Sequence, residues 1–169
     1  QFSHRVMLGE QGEIAIPTVE FNLIFQLTHI YAHLMNEGIG LRQLLDYYYV
    51  LISDDLLLIR DRVQKELKEL GLWKFAGAIM YIMQEVFGMP ASRLIVPPNE
   101  KYGRFVLNEV LEAGNFGKHD ERNRFGRSKL GHNLQRVYRD IRLVRYFPAE
   151  ALSEPIFRTW HFFWRLRHK

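Results

Sequence analysis

A helix with one narrow polar seam through an otherwise apolar surface is the tightest constraint this chain places on its own fold. Placed on a 3.6-residue helix, residues 20–37 put Phe21, Ile24, Phe25, Leu27, Ile30, Tyr31, Ala32, Leu34 and Met35 over most of the circumference, the pattern of a helix buried on several sides. Asn22, Gln26, His29, His33 and Asn36 fill the remaining gap at steps of four, three, four and three, so all five point one way. An unpartnered buried polar group costs roughly 1–3 kcal/mol. The seam is therefore expected to face a ligand, a second polar surface or ordered water.

The next segment offers a second polar surface. Gly38-Ile39-Gly40 suits a tight turn between helices, and LRQLLDYYYVLIS then places Arg42, Asp46, Tyr49 and Ser53 in one row. Together they predict a helical hairpin. Arg42 stands four residues before Asp46, the weaker order for an ion pair within a helix, so the two are placed for what they face. A buried polar network that pins the hairpin's register and a ligand-lining role both satisfy this pattern.

At 169 residues and 47% hydrophobic, the chain is long enough for one domain with a substantial core. No apolar run reaches the roughly 18–20 residues of a membrane-spanning helix, and no secretory signal is visible. With no cysteine, disulfides, thiolate metal sites and cysteine nucleophiles are excluded, and a cytoplasmic location is the default expectation. Charge is uneven: residues 1–117 carry 10 Lys and Arg against 14 Asp and Glu, whereas residues 118–169 carry 13 against 5. The basic third would suit nucleic acid, nucleotide phosphates or an acidic partner, or it solvates helical faces. Nucleic acid is not the favoured partner.

Further along, GEIAIP at 12–17 reads as extended, the end of a strand from an upstream sheet, with Pro17 and Thr18 starting the first helix. Asp54 is the expected cap of a third helix that ends at Gly71. In LWKFAGAIMYIMQEVFG, Ala76, Gly77 and Ala78 would allow close helix packing before Gly88 ends the segment. Residues 89–98, with Pro90, Pro97 and Pro98, read as a loop over the surface, and a fifth helix starts near Asn99 with Phe105, Leu107, Val110 and Leu111 turned to the core. A sixth helix runs from about Ser128 to Pro148 and a last one through PIFRTWHFFWRLRHK. The fold expected is all-α: an irregular bundle of about six or seven helices in a single domain, preceded by a short extended segment.

The catalytic inventory is sparse. His29 and His33 have the spacing of a helical metal pair, but HIYAH lacks the glutamate of H-E-x-x-H that would activate water, so no resident metal is assigned, even with Asp46 as a further ligand. No serine lies in a G-x-S-x-G elbow. The glycine-flanked GNFG and the residues after it, with Asn115 and Lys118, are phosphate-binding candidates, since amides beside glycines can cradle phosphate. The string is nevertheless neither a Walker loop nor a dinucleotide fingerprint.

The blocks NLIFQLTHIYAHLMNEGIGLRQLLDYYYVL, GLWKFAGAIMYIMQEVFG, EAGNFGKHDERN and PIFRTWHFFWR, in that order, resemble the C-terminal helical part of the uncharacterised nucleotidyltransferase family common in Bacteroidetes, which is similar to the polymerase-beta-like nucleotidyltransferases. That resemblance implies a nucleoside triphosphate and Mg²⁺ held on a small α/β domain, with helices packed beside it. The positions matching the family's helical pattern are Asn22, His29, His33, Arg42 and Asp46. A Gly-Ser element followed by Asp-x-Asp or Asp-x-Glu is absent from the 169 residues, so no catalytic residue is assigned. The expectation is a helical portion of a longer protein, beginning at Gln1, with residues 1–17 as the remnant of an upstream nucleotidyltransferase domain that is its partner. Asn22, Gln26, His29, His33, Arg42 and Asp46 would then line the nucleotide or acceptor pocket. Arg42 would point toward a phosphate, a histidine would serve as donor or proton shuttle, and Asp46 would fix one of them. A noncatalytic helical interaction module, or nucleic-acid binding through the basic third, are the alternatives.

Overall fold

The computed structural model describes residues 3–7, 9, 12–36, 38–113 and 141–148, together with Trp160, Trp164 and Arg167. Two strands, β1 (Ser3–Met7) and β2 (Glu13–Pro17), precede five helices: α1 (Val19–Asn36), α2 (Leu41–Leu51), α3 (Leu56–Glu69), α4 (Trp73–Phe87) and α5 (Glu100–Ala113). Residues 141–144 add a further helical turn. The expected all-α bundle is what forms. The extended segment at 13–17 finds its strand partner inside the chain, because β1 and β2 pair antiparallel with Ser3 opposite Pro17 and Met7 opposite Glu13. Of the expected last two helices, most lies outside the described residues, as do Asn115, Lys118 and the GNFG stretch.

Local chemistry sets the boundaries. Thr18 caps α1, its Oγ1 accepting from the Phe21 amide at 3.3 Å. At the hairpin, Gly38 takes a left-handed φ of +90°. Its amide donates to the His33 carbonyl at 2.7 Å, while Ile39 is fully buried and the Gln43 side chain reaches back to accept from the Gly40 amide at 3.0 Å. The end of α3 is a Schellman turn: the Gly71 amide donates to Lys68 and the Leu72 amide to Leu67. Asp54 does not cap α3. The N-cap position is Asp55, without a side-chain hydrogen bond, and Asp54 instead lies 3.7 Å from Arg93.

The bundle is organised around α4, on which Phe75, Ala76, Gly77, Ala78, Ile79, Met80, Ile82 and Met83 are all buried. It packs against α5, α2 and α3, and α1 packs against α2 and α3. Small residues decide how closely α4 is approached. The Gly77 carbonyl accepts from the Asn99 amide at 2.9 Å, and a Cβ built on Gly77 would lie 3.1 Å from the Pro97 carbonyl oxygen. Gly103 of α5 lies directly on Tyr81, 2.3 Å from where its own Cβ would stand.

Residues 89–98 are not a surface loop. Met89, Leu94, Ile95 and Val96 are buried, and their irregular backbone is satisfied by long polar side chains from α3. Gln64 donates to the Ile95 carbonyl at 2.7 Å and Arg60 to that of Ser92. Arg93 returns to donate to the Ser53 carbonyl at 2.7 Å. On α5 it is Val106 and Val110 that are buried, whereas Leu111 is 60% exposed. Residues 141–148 close the bundle through Leu143 and Phe147, which are buried. Phe105 stacks on Tyr146 at 3.7 Å, and the Arg142–Glu109 ion pair at 3.5 Å lies in partly desolvated surroundings.

Two outcomes follow. Gly103→Ala is expected to destabilise the fold by about 1–3 kcal/mol, as overpacking does, despite alanine's helix preference; chemical denaturation reads this. The Tyr47 hydroxyl is fully buried with no hydrogen-bond partner among the described residues, and burial pushes its ionisation above the usual tyrosine range. The unfolded phenol ionises near pH 10 and the folded one does not, so the folded state binds the extra proton and stability falls as pH rises past that value. Tyr47→Phe is expected to keep or raise stability by about 1 kcal/mol at neutral pH and to flatten the alkaline fall, measured by urea midpoints across the pH range.

Candidate functional site

The polar seam lies at the border between the buried and open sides of α1. Leu23, Leu27, Ile30 and Leu34 form the buried stripe, while Phe25, Thr28, His29 and Ala32 are exposed. The expectation of a helix enclosed on several sides is corrected here: α1 is covered mainly by α2 and α3, and Phe25 is 53% exposed. Asn22, Gln26 and His33 are half-buried and His29 is exposed, so water can serve the seam without a buried partner. Asn36 ends the helix, and its side chain lies outside the described set.

What the helix builds on its open side is a column of rings. Phe21 stacks on Phe25 with centroids 5.5 Å apart and planes 13° from parallel. Phe25 stacks on His29 at 6.0 Å and 12°. His29 meets His33 edge-on at 4.3 Å and 86°, with the two Nε2 atoms 3.0 Å apart. That separation is a hydrogen-bond distance, so one Nε2 carries the hydrogen and the other accepts it. Residues four apart on a helix face one another, and F-x₃-F-x₃-H-x₃-H was the signal in the sequence. It was hidden because Phe21 and Phe25 count as core residues in any hydropathy pattern.

Beside the column opens a cleft of about 500 Å³ between the start of α1 and α3. Phe21 and Phe25 line one side; Arg62 and Glu66, one turn apart on α3, line the other, with Thr18 and Glu20 at the end. Arg62 pairs with Glu20 at 3.3 Å. The Thr28 hydroxyl is spent within the helix, donating to the Ile24 carbonyl at 2.8 Å. A flat apolar wall facing a charged one suits a ligand with a planar ring and a polar substituent. None of the α3 residues was singled out by sequence, since Arg62 and Glu66 sit in a charge run that reads as a wet surface.

The second polar row points to water. Arg42, Asp46 and Tyr49 are exposed and Ser53 half-buried, because α2 turns Leu44, Tyr47 and Leu51 inward. Among the described residues, no side-chain hydrogen bond or ion pair links Arg42 or Asp46 to the seam on α1. Nor do the described residues gather three or more His, Cys, Asp or Glu that could hold a metal ion.

The described residues thus form a helical bundle led by a β-hairpin, with an open ring column on the first helix. Residues 2–88 match the uncharacterised nucleotidyltransferase family. That match spans just over half of the 169 residues, and the chain belongs to this family. It runs from the hairpin to Gly88, the left-handed residue with φ of +65° that closes α4, and so takes in the seam, the column and the cleft. No curated protein and no solved structure matches the chain.

The exposure pattern makes a direct prediction. Phe25→Ala is expected to cost less than about 1 kcal/mol, as at a surface site, while Leu27→Ala, two residues on and fully buried, is expected to cost about 2–5 kcal/mol. Paired denaturation curves measure both; equal losses would place Phe25 in the core.

Proposed function

We propose that this chain is the helical, substrate-binding part of a nucleotidyltransferase, with the open face of α1 as one wall of the nucleotide or acceptor pocket. Family membership supports the reaction class, and the observation that carries the pocket role is the Phe21–Phe25–His29–His33 column standing open beside a charged cleft. Stacking on an exposed aromatic ring is a general way to hold a base, worth about 1–3 kcal/mol. In this proposal Arg42 approaches a phosphate from α2, Asn22 and Gln26 offer hydrogen bonds along the seam, His29 or His33 donates or relays a proton, and Asp46 orients a neighbour. The 169 residues carry no Gly-Ser element with a following Asp-x-Asp or Asp-x-Glu, so the carboxylates that bind Mg²⁺ and the triphosphate are assigned elsewhere and no transfer step is placed on this chain alone.

A second reading, a noncatalytic interaction module, is favoured by one specific feature. Leu41, Leu45, Tyr49 and Ile52 form an exposed stripe along α2, and Leu57 and Leu58 at the start of α3 are exposed as well, Leu58 at 83%. Patches of this kind mark contact surfaces.

Calorimetric titration of the chain with a nucleoside triphosphate, with and without Mg²⁺, separates the two. The expected outcome is binding that Arg42→Ala abolishes and Phe25→Ala weakens, with circular dichroism unchanged in both variants. Unaltered binding in Arg42→Ala sinks the assignment of that residue, and no binding by the wild type favours the interaction module.

A further inference from the structure

The end of the ring column is a place where a metal can be chelated. We infer that His29 and His33 form a two-point clamp for a divalent transition metal of tetragonal preference, Cu²⁺ above all and Ni²⁺ after it. Their Nε2 atoms stand 3.0 Å apart, and two nitrogens at that separation, each about 2.0–2.1 Å from a common ion, subtend about 94° at it. A right angle between neighbouring nitrogens is what tetragonal Cu²⁺ and Ni²⁺ accept, whereas tetrahedral Zn²⁺ would hold the same nitrogens about 3.3 Å apart. Imidazole is a suitable ligand for these ions, and the general affinity order of divalent metals puts copper first.

Two further features prepare the site. His29 is stacked within 12° of parallel on Phe25, itself stacked on Phe21, so its ring plane is set before any ion arrives. Both histidines sit on a capped, 18-residue helix, which fixes the spacing of their backbones. Loading requires no loss of charge and no outside reactant. The imidazole that carried its hydrogen on Nε2 moves to the Nδ1–H tautomer, which makes both Nε2 lone pairs available to the ion. No third His, Asp or Glu of the described residues joins the pair. Glutamates and Arg62 of the neighbouring cleft lie off this end of the column and are not needed.

The clamp takes the same two histidines that the pocket reading uses, but it does not rest on that reading and is tested without nucleotide. Cu²⁺ is titrated into the full 169-residue chain and followed by calorimetry and by electron paramagnetic resonance. The chain has seven histidines, so the site is assigned by difference. The strongest equivalent is expected to show equatorial nitrogen coordination, and His29→Ala and His33→Ala are each expected to weaken it by at least about tenfold, the scale on which even outer partners of a metal site act. His4→Ala, on the exposed β1, is expected to leave it unchanged. Binding should also raise the thermal midpoint of the wild type and fail to do so in the two α1 variants, since an ion that bridges one helical turn binds only the folded helix. Wild-type affinity retained in either His29→Ala or His33→Ala overturns the clamp, as does a wild type whose strongest equivalent is lost with His4→Ala.

Discussion

Burial of α4 on nearly all sides is the constraint to which the other elements answer. A helix whose residues 75–80 are all buried meets solvent only toward its ends, at Lys74 and at Gln84, Glu85 and Val86, so neighbours must cover its middle, and burying each large apolar side chain contributes about 1.5–3 kcal/mol. Three helices do so, and the remaining gap is taken by irregular chain, residues 89–98, threaded inward with Ile95 fully buried. That arrangement is tolerable because two of the loop's carbonyls find donors in Arg60 and Gln64, while the loop's own Arg93 donates outward to the Ser53 carbonyl; an unserved buried carbonyl would cost about as much as a buried leucine gains. Gly77 and Gly103 set the distances, since any side chain at either would meet backbone or the Tyr81 ring.

The open side of α1 is a consequence of the same arrangement. With α4 already enclosed, α1 packs mainly against α2 and α3 through one stripe of leucines and an isoleucine, with Tyr31 reaching Phe75 of α4 and Phe147. The aromatic residues left over on the far side are ordered by stacking along the helix instead of by burial, and they end in the paired imidazoles. A surface helix that exposes half a phenylalanine gives up hydrophobic stabilisation there, and the cleft beside it has Arg62 and Glu66 opposite. Membership of the nucleotidyltransferase family places this face within the part of the chain that defines the family.

How much could be read beforehand differs between backbone and surface. Thr18, the Gly38-Ile39-Gly40 turn, Gly71, Gly88 and Asn99 announce the helix ends through capping and left-handed backbone, both of which depend on a residue and its near neighbours. Position within the bundle was less legible. Leu111 and Phe25 carry the same hydropathy as buried neighbours yet are exposed, and the proline-bracketed segment at 89–98 looks like surface chain yet is core. Asp54 looked like a cap and is held by Arg93 from a distant loop. Asn22, Gln26, His29 and His33 were correctly placed on one line of one helix, whereas their relation to Arg42 and Asp46 depended on which way α2 is rolled, and a helix that buries Leu44, Tyr47 and Leu51 must turn Arg42 and Asp46 outward.

The sequence by itself determined α1 to α5, most of their ends, the hairpin between α1 and α2 and the line along which the polar seam runs, because periodicity, capping and glycine conformation act over a few residues. Only the tertiary structure decided which side of α1 stays open, that Phe21, Phe25, His29 and His33 stack into one column, and that α3 supplies the charged wall of the cleft. Those features depend on how helices far apart in the chain divide a limited buried surface among themselves, and no local pattern carries that division.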